Sequence, residues 1–184
     1  MKIETCFLTK NPFSRPGKPL QNVKGIIMHW VANPGTSAIQ NRNYFESLKN
    51  QDFTGHEIYA SAHFIIGIKG ETVQCLPPEE MAYHVGAKIY MPEAISHFGH
   101  YPNNCTIGIE LCHPGADGKF TEATLESAIY IADSLCKTFV LDPEKDIWTH
   151  HQITGKVCPK WFVDHPGDFE RFKWEVGIYM AGIR

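Results

Sequence analysis

What the chain lacks narrows its class before any motif is considered. No stretch approaches the ~20 consecutive apolar residues of a membrane-spanning helix, so no partnership with a membrane is expected. The opening Met1-Lys2-Ile3-Glu4-Thr5-Cys6-Phe7 has no apolar secretion-signal core, so synthesis and retention in the cytoplasm, or exit by another route, is expected. No block of like charge occurs. With 17 basic residues against 20 acidic ones and a formal net charge of −3, nothing points to nucleic acid or an anionic surface as a partner. Internal repeats and low-complexity tracts are absent too, and the Pro- and Gly-bearing segments are too short to be interdomain linkers. At 184 residues and 43% hydrophobic, the chain suits one well-buried core, so a single domain over 1–184 with no second domain is expected.

Six cysteines are present, but a chain with a sufficient core and no secretion signal needs no disulfide framework. Cys75, Cys112 and Cys136 sit in apolar stretches and read as small buried hydrophobes.

Apolar runs of strand length occupy 23–30, 62–68, 72–76, 106–112 and roughly 146–150, and the second and third form a hairpin across Lys69-Gly70-Glu71. Helical spacing places a helix at about 37–50, with Tyr44, Phe45 and Leu48 on one face. A second runs from Thr121, its N-cap, to Val140, and a third occupies about 168–181 through Phe169, Phe172, Val176 and Met180. Strands and helices in this order imply an α/β or α+β domain.

The segment Thr149-His150-His151-Gln152-Ile153-Thr154-Gly155-Lys156-Val157-Cys158-Pro159 concentrates the chemistry. Imidazole and thiolate are ligands that Zn²⁺ prefers, and His150 and Cys158 are too far apart for one helix face, so the segment must fold back on itself. Gly155 permits the turn and Pro159 holds Cys158 extended. His29, ending the run Val23–Trp30, is the natural third ligand; three protein ligands with a fourth position left to water is the catalytic zinc pattern. Read as extended backbone, His150 and His151 point to opposite sides, and spacing does not choose between them. Cys158 close to Lys156 is in an electropositive setting that favours the thiolate, so a cysteine nucleophile is the rival to a cysteine ligand. Glu110, on a strongly apolar strand, is either a solvated side chain or a general base and acid; Lys156 is either a surface lysine or the partner of an oxyanion. His63 and His84 are expected to line a pocket, and His56, His97, His100, His113 and His165, in turn-like contexts, receive no role.

Five blocks, in order, resemble the zinc-dependent N-acetylmuramoyl-L-alanine amidases of the type-2 group, related to peptidoglycan recognition proteins and phage lysozyme-type amidases. They are Ile26-Ile27-Met28-His29-Trp30, Ser61-Ala62-His63-Phe64-Ile65-Ile66, Tyr83-His84-Val85-Gly86, Thr106-Ile107-Gly108-Ile109-Glu110-Leu111, and His150 through Pro159. The resemblance implies a central mixed sheet flanked by helices with zinc in a cleft on one face, held by His29, His150 and Cys158. It implies Glu110 as acid and base, Lys156 as oxyanion stabiliser and His84 as a substrate-holding residue. Where some relatives carry a catalytic tyrosine before the second-block histidine, this chain has Ala62. The implied reaction is hydrolysis of the amide between N-acetylmuramic acid and L-alanine, by a monomer acting on the cell wall after holin-type release or lysis. The rival from another class is a non-hydrolytic peptidoglycan-binding protein, against which Cys158 argues.

Overall fold

Alternation along six short strands organises the molecule, which a computed structural model describes over residues 3–183. The strands are β1 (Ile3–Thr5), β2 (Gly25–Trp30), β3 (Phe64–Ile66), β4 (Thr72–Gln74), β5 (Thr106–Leu111) and β6 (Ile147–Thr149). They form one mixed sheet in the order β1-β4-β3-β5-β2-β6, antiparallel between β3 and β4 and parallel elsewhere. Among the described residues seven α-helices complete the α/β fold: α1 (Ala38–Ser47), α2 (Pro92–Phe98), α3 (Glu122–Phe139), α4 (Pro143–Asp146), α5 (His150–Thr154), α6 (Lys160–Asp164) and α7 (Pro166–Met180).

The central strands are buried on both faces, which explains their near-continuous apolar sequence. On one face Ile26, Met28, Ile107, Ile109 and Leu111 pack with Ala128, Ile129, Ala132 and Leu135 of α3 and Phe169, Phe172 and Val176 of α7. Each fully buried aliphatic side chain contributes about 1.5–3 kcal/mol. On the other face Ile65 and Val73 pack with Phe45 of α1, and Ile27 packs with Phe98 of α2 and Ile153 of α5. Because side chains alternate, His29 and Glu110 belong to this second face, and the β2–β5 register sets them directly side by side.

Thr121 caps α3 by accepting from the Thr124 N–H at 3.1 Å, as its position before the helix predicts. Four local expectations are corrected. Tyr44 is half-exposed rather than on the packed face of α1, which buries Phe45. The last strand ends at Thr149, so His150 opens a helix instead of closing a strand. His97 lies in α2 rather than in a turn. Strand β1, exposed along its length, and helices α2, α4, α5 and α6 lie outside the elements read from periodicity.

Candidate metal centre and its cleft

Short-range capping brings the two ends of the histidine-to-cysteine segment together. Thr149 caps α5: its side chain accepts from the Gln152 N–H, and the Gln152 carboxamide accepts from the Thr149 N–H. After one turn, Gly155 adopts a left-handed conformation at φ 78°, which ends the helix. The chain then doubles back until the His151 N–H donates to the Cys158 carbonyl at 2.8 Å. His150 and His151 are therefore successive helical residues, about 100° apart around the axis, and not an extended pair. His150 is buried and turned inward, while His151 is only partly covered.

This fold-back brings His150 and Cys158 to His29. His29 Nδ1 lies 3.1 Å from His150 Nδ1 and 3.7 Å from Cys158 Sγ. The three ligand atoms lie within 4.8 Å of one another, and among the described residues theirs is the one group of three or more His, Cys, Asp or Glu that is close enough to hold a metal ion. Tetrahedral Zn–N and Zn–S bonds of the usual lengths would separate the donors by about 3.3 Å (N to N) and about 3.6 Å (N to S), close to the spacings found here.

The electrostatics of the cluster suit a cation as well. Burial first, and then the charges of His150 and His84, hold His29 well below its ordinary pKa, and burial followed by Lys156 takes His150 down to about 4. Both imidazoles are consequently neutral at neutral pH, the state a metal requires. Burial first, with Glu110 adding to it, raises the Cys158 thiol to about 12, against partial relief from the Trp30 backbone N–H and Lys156. This reverses the expected thiolate-favouring setting: without a bound cation Cys158 keeps its proton, which disfavours the free cysteine nucleophile.

The cluster lies in a cleft of about 560 Å³, whose walls include Glu110, Lys156, Tyr59, Tyr83 and Trp30. Glu110 Oε2 is buried without a hydrogen-bond partner. Burial raises its carboxyl to about 8, with Lys156 pulling it partly back. The residue as a whole is partly exposed where it lines the cleft, while its Oε2 is enclosed. Ala62 is fully buried, while Tyr59, from the same stretch of chain, and Tyr83 line the cleft wall.

The remaining histidines divide. His84 lines the cleft, yet both its ring nitrogens already face protein atoms: Nδ1 is 3.0 Å from His29 Nε2, and Nε2 is 3.2 Å from the Thr106 carbonyl. His63, expected in a pocket wall, is instead fully buried behind it, accepting from the Gly108 N–H and donating to the Glu80 carbonyl. Burial brings His63 down to about 4, so it too is neutral. The link from His84 to His29 is a site feature that the sequence did not reveal, because it joins a loop to a strand across 55 positions.

Comparison with known proteins converges on one group. The family model described as N-acetylmuramoyl-L-alanine amidase matches residues 19–161. The N-acetylmuramoyl-L-alanine amidase BlyA of Bacillus subtilis (strain 168) is 34% identical over 190 residues, covering 96% of this chain and 47% of the relative. The chain thus spans about half the length of the curated relatives it matches. Among solved structures, the catalytic domain of XlyA superposes with a TM-score of 0.71 at 26% identity, covering 94% of this chain and 99% of that one. The structure of PlyL superposes with a TM-score of 0.72 at 21% identity, over 96% and 97% of the two chains, a likeness of fold.

Proposed function

The chain belongs to the N-acetylmuramoyl-L-alanine amidase family, and from that premise we propose that it hydrolyses the amide joining the lactyl group of N-acetylmuramic acid to the L-alanine of the peptidoglycan stem peptide. One observation carries the reading: two neutral imidazoles and a thiol converge at the base of a cleft that also presents a buried carboxyl and a lysine. His29 Nδ1, His150 Nδ1 and Cys158 Sγ would hold a zinc ion. When bound, that ion supplies a Lewis acid that polarises the scissile carbonyl and lowers the pKa of water.

The rest of the chemistry falls to the protein. Glu110, side by side with His29 in the sheet, takes a proton from the attacking water as a carboxylate and returns it to the departing alanine nitrogen. Lys156 meets the negative charge that develops on the carbonyl oxygen as the tetrahedral species forms. Its place on the exposed turn after Gly155, lining the cleft, suits that task. The aromatic walls from Tyr59, Tyr83 and Trp30 offer flat faces to sugar rings and peptide. With Ala62 where some relatives have a tyrosine, acid and base work rests on Glu110 alone. We further propose that the chain works as a monomer within a single catalytic domain, on the cell wall, after holin-type release or lysis. Among the described residues no helix is long and apolar enough to cross a membrane.

A non-hydrolytic binding module is disfavoured because Cys158 completes the donor set, with its sulfur 3.7 Å from His29 Nδ1. The test is digestion of purified peptidoglycan with and without chelator. New alanine amino termini, lost on chelation and regained with zinc, are expected. New reducing sugar ends without free alanine amines would overturn the assignment.

A further inference from the structure

Hydrogen-bond arithmetic around His84 settles where the protons sit. The Thr106 carbonyl, 3.2 Å from His84 Nε2, only accepts. The Thr106 hydroxyl, 3.1 Å from the same nitrogen, has given its own proton to the Pro102 carbonyl at 2.7 Å, so it accepts as well. Two acceptors facing one nitrogen require His84 Nε2 to carry the proton. Neutral His84 then presents a bare Nδ1 to His29 Nε2 at 3.0 Å, and that pair is a hydrogen bond only if His29 Nε2 is the donor. A neutral imidazole protonated at Nε2 has its lone pair on Nδ1, the atom that faces His150 Nδ1 and Cys158 Sγ.

The fold takes care to hold the His84 ring in this place. A Cβ on Gly108 would fall 2.6 Å from His84 Cγ and 2.7 Å from its Nδ1, so the ring occupies space that only a glycine leaves open. The backbone N–H groups of His84 and Val85 both donate to Asn103 Oδ1, at 3.1 and 3.0 Å, which pins the loop carrying the ring. His63 backs the ring edge-on, with 5.9 Å between centroids.

We propose that His84 is a positioning residue that acts through His29: the relay from His29 Nε2–H through His84 to Thr106 fixes one His29 tautomer and keeps Nδ1 bare for the metal. The opposite tautomer of His84 would set its unprotonated Nε2 against two acceptors. It would also push the His29 proton onto Nδ1, aimed into the donor cluster, and close the site. The side chain therefore serves the metal centre from behind rather than holding substrate, the role its sequence block implied. Partners of this kind are commonly worth about 10- to 100-fold in metal affinity.

The inference rests on the metal reading above, and two readouts separate their failures. Long-range ¹H–¹⁵N spectra of the metal-free protein report each histidine tautomer directly; His29 and His84 are both expected with the proton on Nε2. A His29 proton on Nδ1 would overturn the inference even if zinc binds. Zinc affinity, measured by competition with a chromophoric chelator, is expected to fall roughly 10- to 100-fold in His84→Phe, which fills the space but accepts nothing. His84→Asn, whose Oδ1 can accept in place of Nδ1, is expected to stay close to wild type. Unchanged affinity in His84→Phe, or equal loss in both variants, would overturn the relay. A folded wild type that binds no zinc would instead overturn the metal reading, and the tautomer spectra still stand on their own. They also decide the matter should His84→Phe not fold.

Discussion

Replacing Glu110 with glutamine is expected to stabilise the metal-free protein and to abolish hydrolysis by the zinc-loaded one. The carboxyl stands at about 8 against an ordinary 4.5, chiefly because burial penalises its charge, and its Oε2 has no partner. At about 1.4 kcal/mol per pH unit, the rise from 4.5 to about 8 sets a ceiling of about 5 kcal/mol on the penalty. Local relaxation and water access reduce the working figure to about 1–3 kcal/mol. The direction follows from proton counting. Between pH 4.5 and about 8 the native state keeps a proton that the unfolded chain has lost, so Glu110 makes stability fall as pH rises, and the loss is complete above about 8. Glutamine has no proton to lose, so the advantage of Glu110→Gln should widen from pH 6 to 8 and level off by pH 9. The buried histidines pull the other way, with His63 and His150 at about 4 losing stability as pH falls below their ordinary range. Both proteins share them, so they cancel in the difference. Urea unfolding of chelator-treated wild type and variant at each pH measures it, with about 2–4 °C in Tm per kcal/mol as a cross-check. A variant no more stable than wild type at pH 9, or a difference independent of pH, would refute the reasoning.

The other expectations concern single groups. Cys158→Ser should lose zinc, measured by metal analysis of the folded protein, and with it hydrolysis of peptidoglycan. Lys156→Ala should retain zinc and fold but lower kcat by about 10²- to 10³-fold, the usual cost of one oxyanion donor, with the change read by steady-state assay. Glu46→Gln should cost about 1 kcal/mol in urea unfolding at pH 7. Partial burial works to raise that carboxyl, but hydrogen bonds from Lys49 and Thr9 bring it to about 2, tying the segment at Thr9 to α1. Because its folded value is depressed, this contribution is present above about pH 4.5 and disappears as pH falls toward 2.

The central strands were legible because burial on both faces leaves continuous apolar runs, and α3 because its buried residues recur at helical spacing. Strand β1 left no such trace: three exposed residues carry no alternation. Helices α5 and α6 span five residues each, too few for periodicity to declare itself, so His150 read as the end of a strand. The donor set of His29, His150 and Cys158 was legible as chemistry, and its geometry now brings the three together. The side-by-side placement of His29 and Glu110 depends on strand register, which no local pattern in either strand encodes. The thiol setting was misjudged because adjacency to Lys156 in sequence says nothing about burial: the lysine is exposed while Cys158 is 2% exposed. His84 was legible as a cleft residue, but its bond to His29 arises only from tertiary packing over Gly108.

The most direct test of the account is the mass of the products formed from a defined disaccharide-peptide muropeptide by the zinc-loaded protein. The account predicts an intact disaccharide bearing a free lactyl carboxylate, together with a peptide whose amino terminus is L-alanine. Cleavage of the glycosidic bond, or of a bond within the stem peptide, would contradict it.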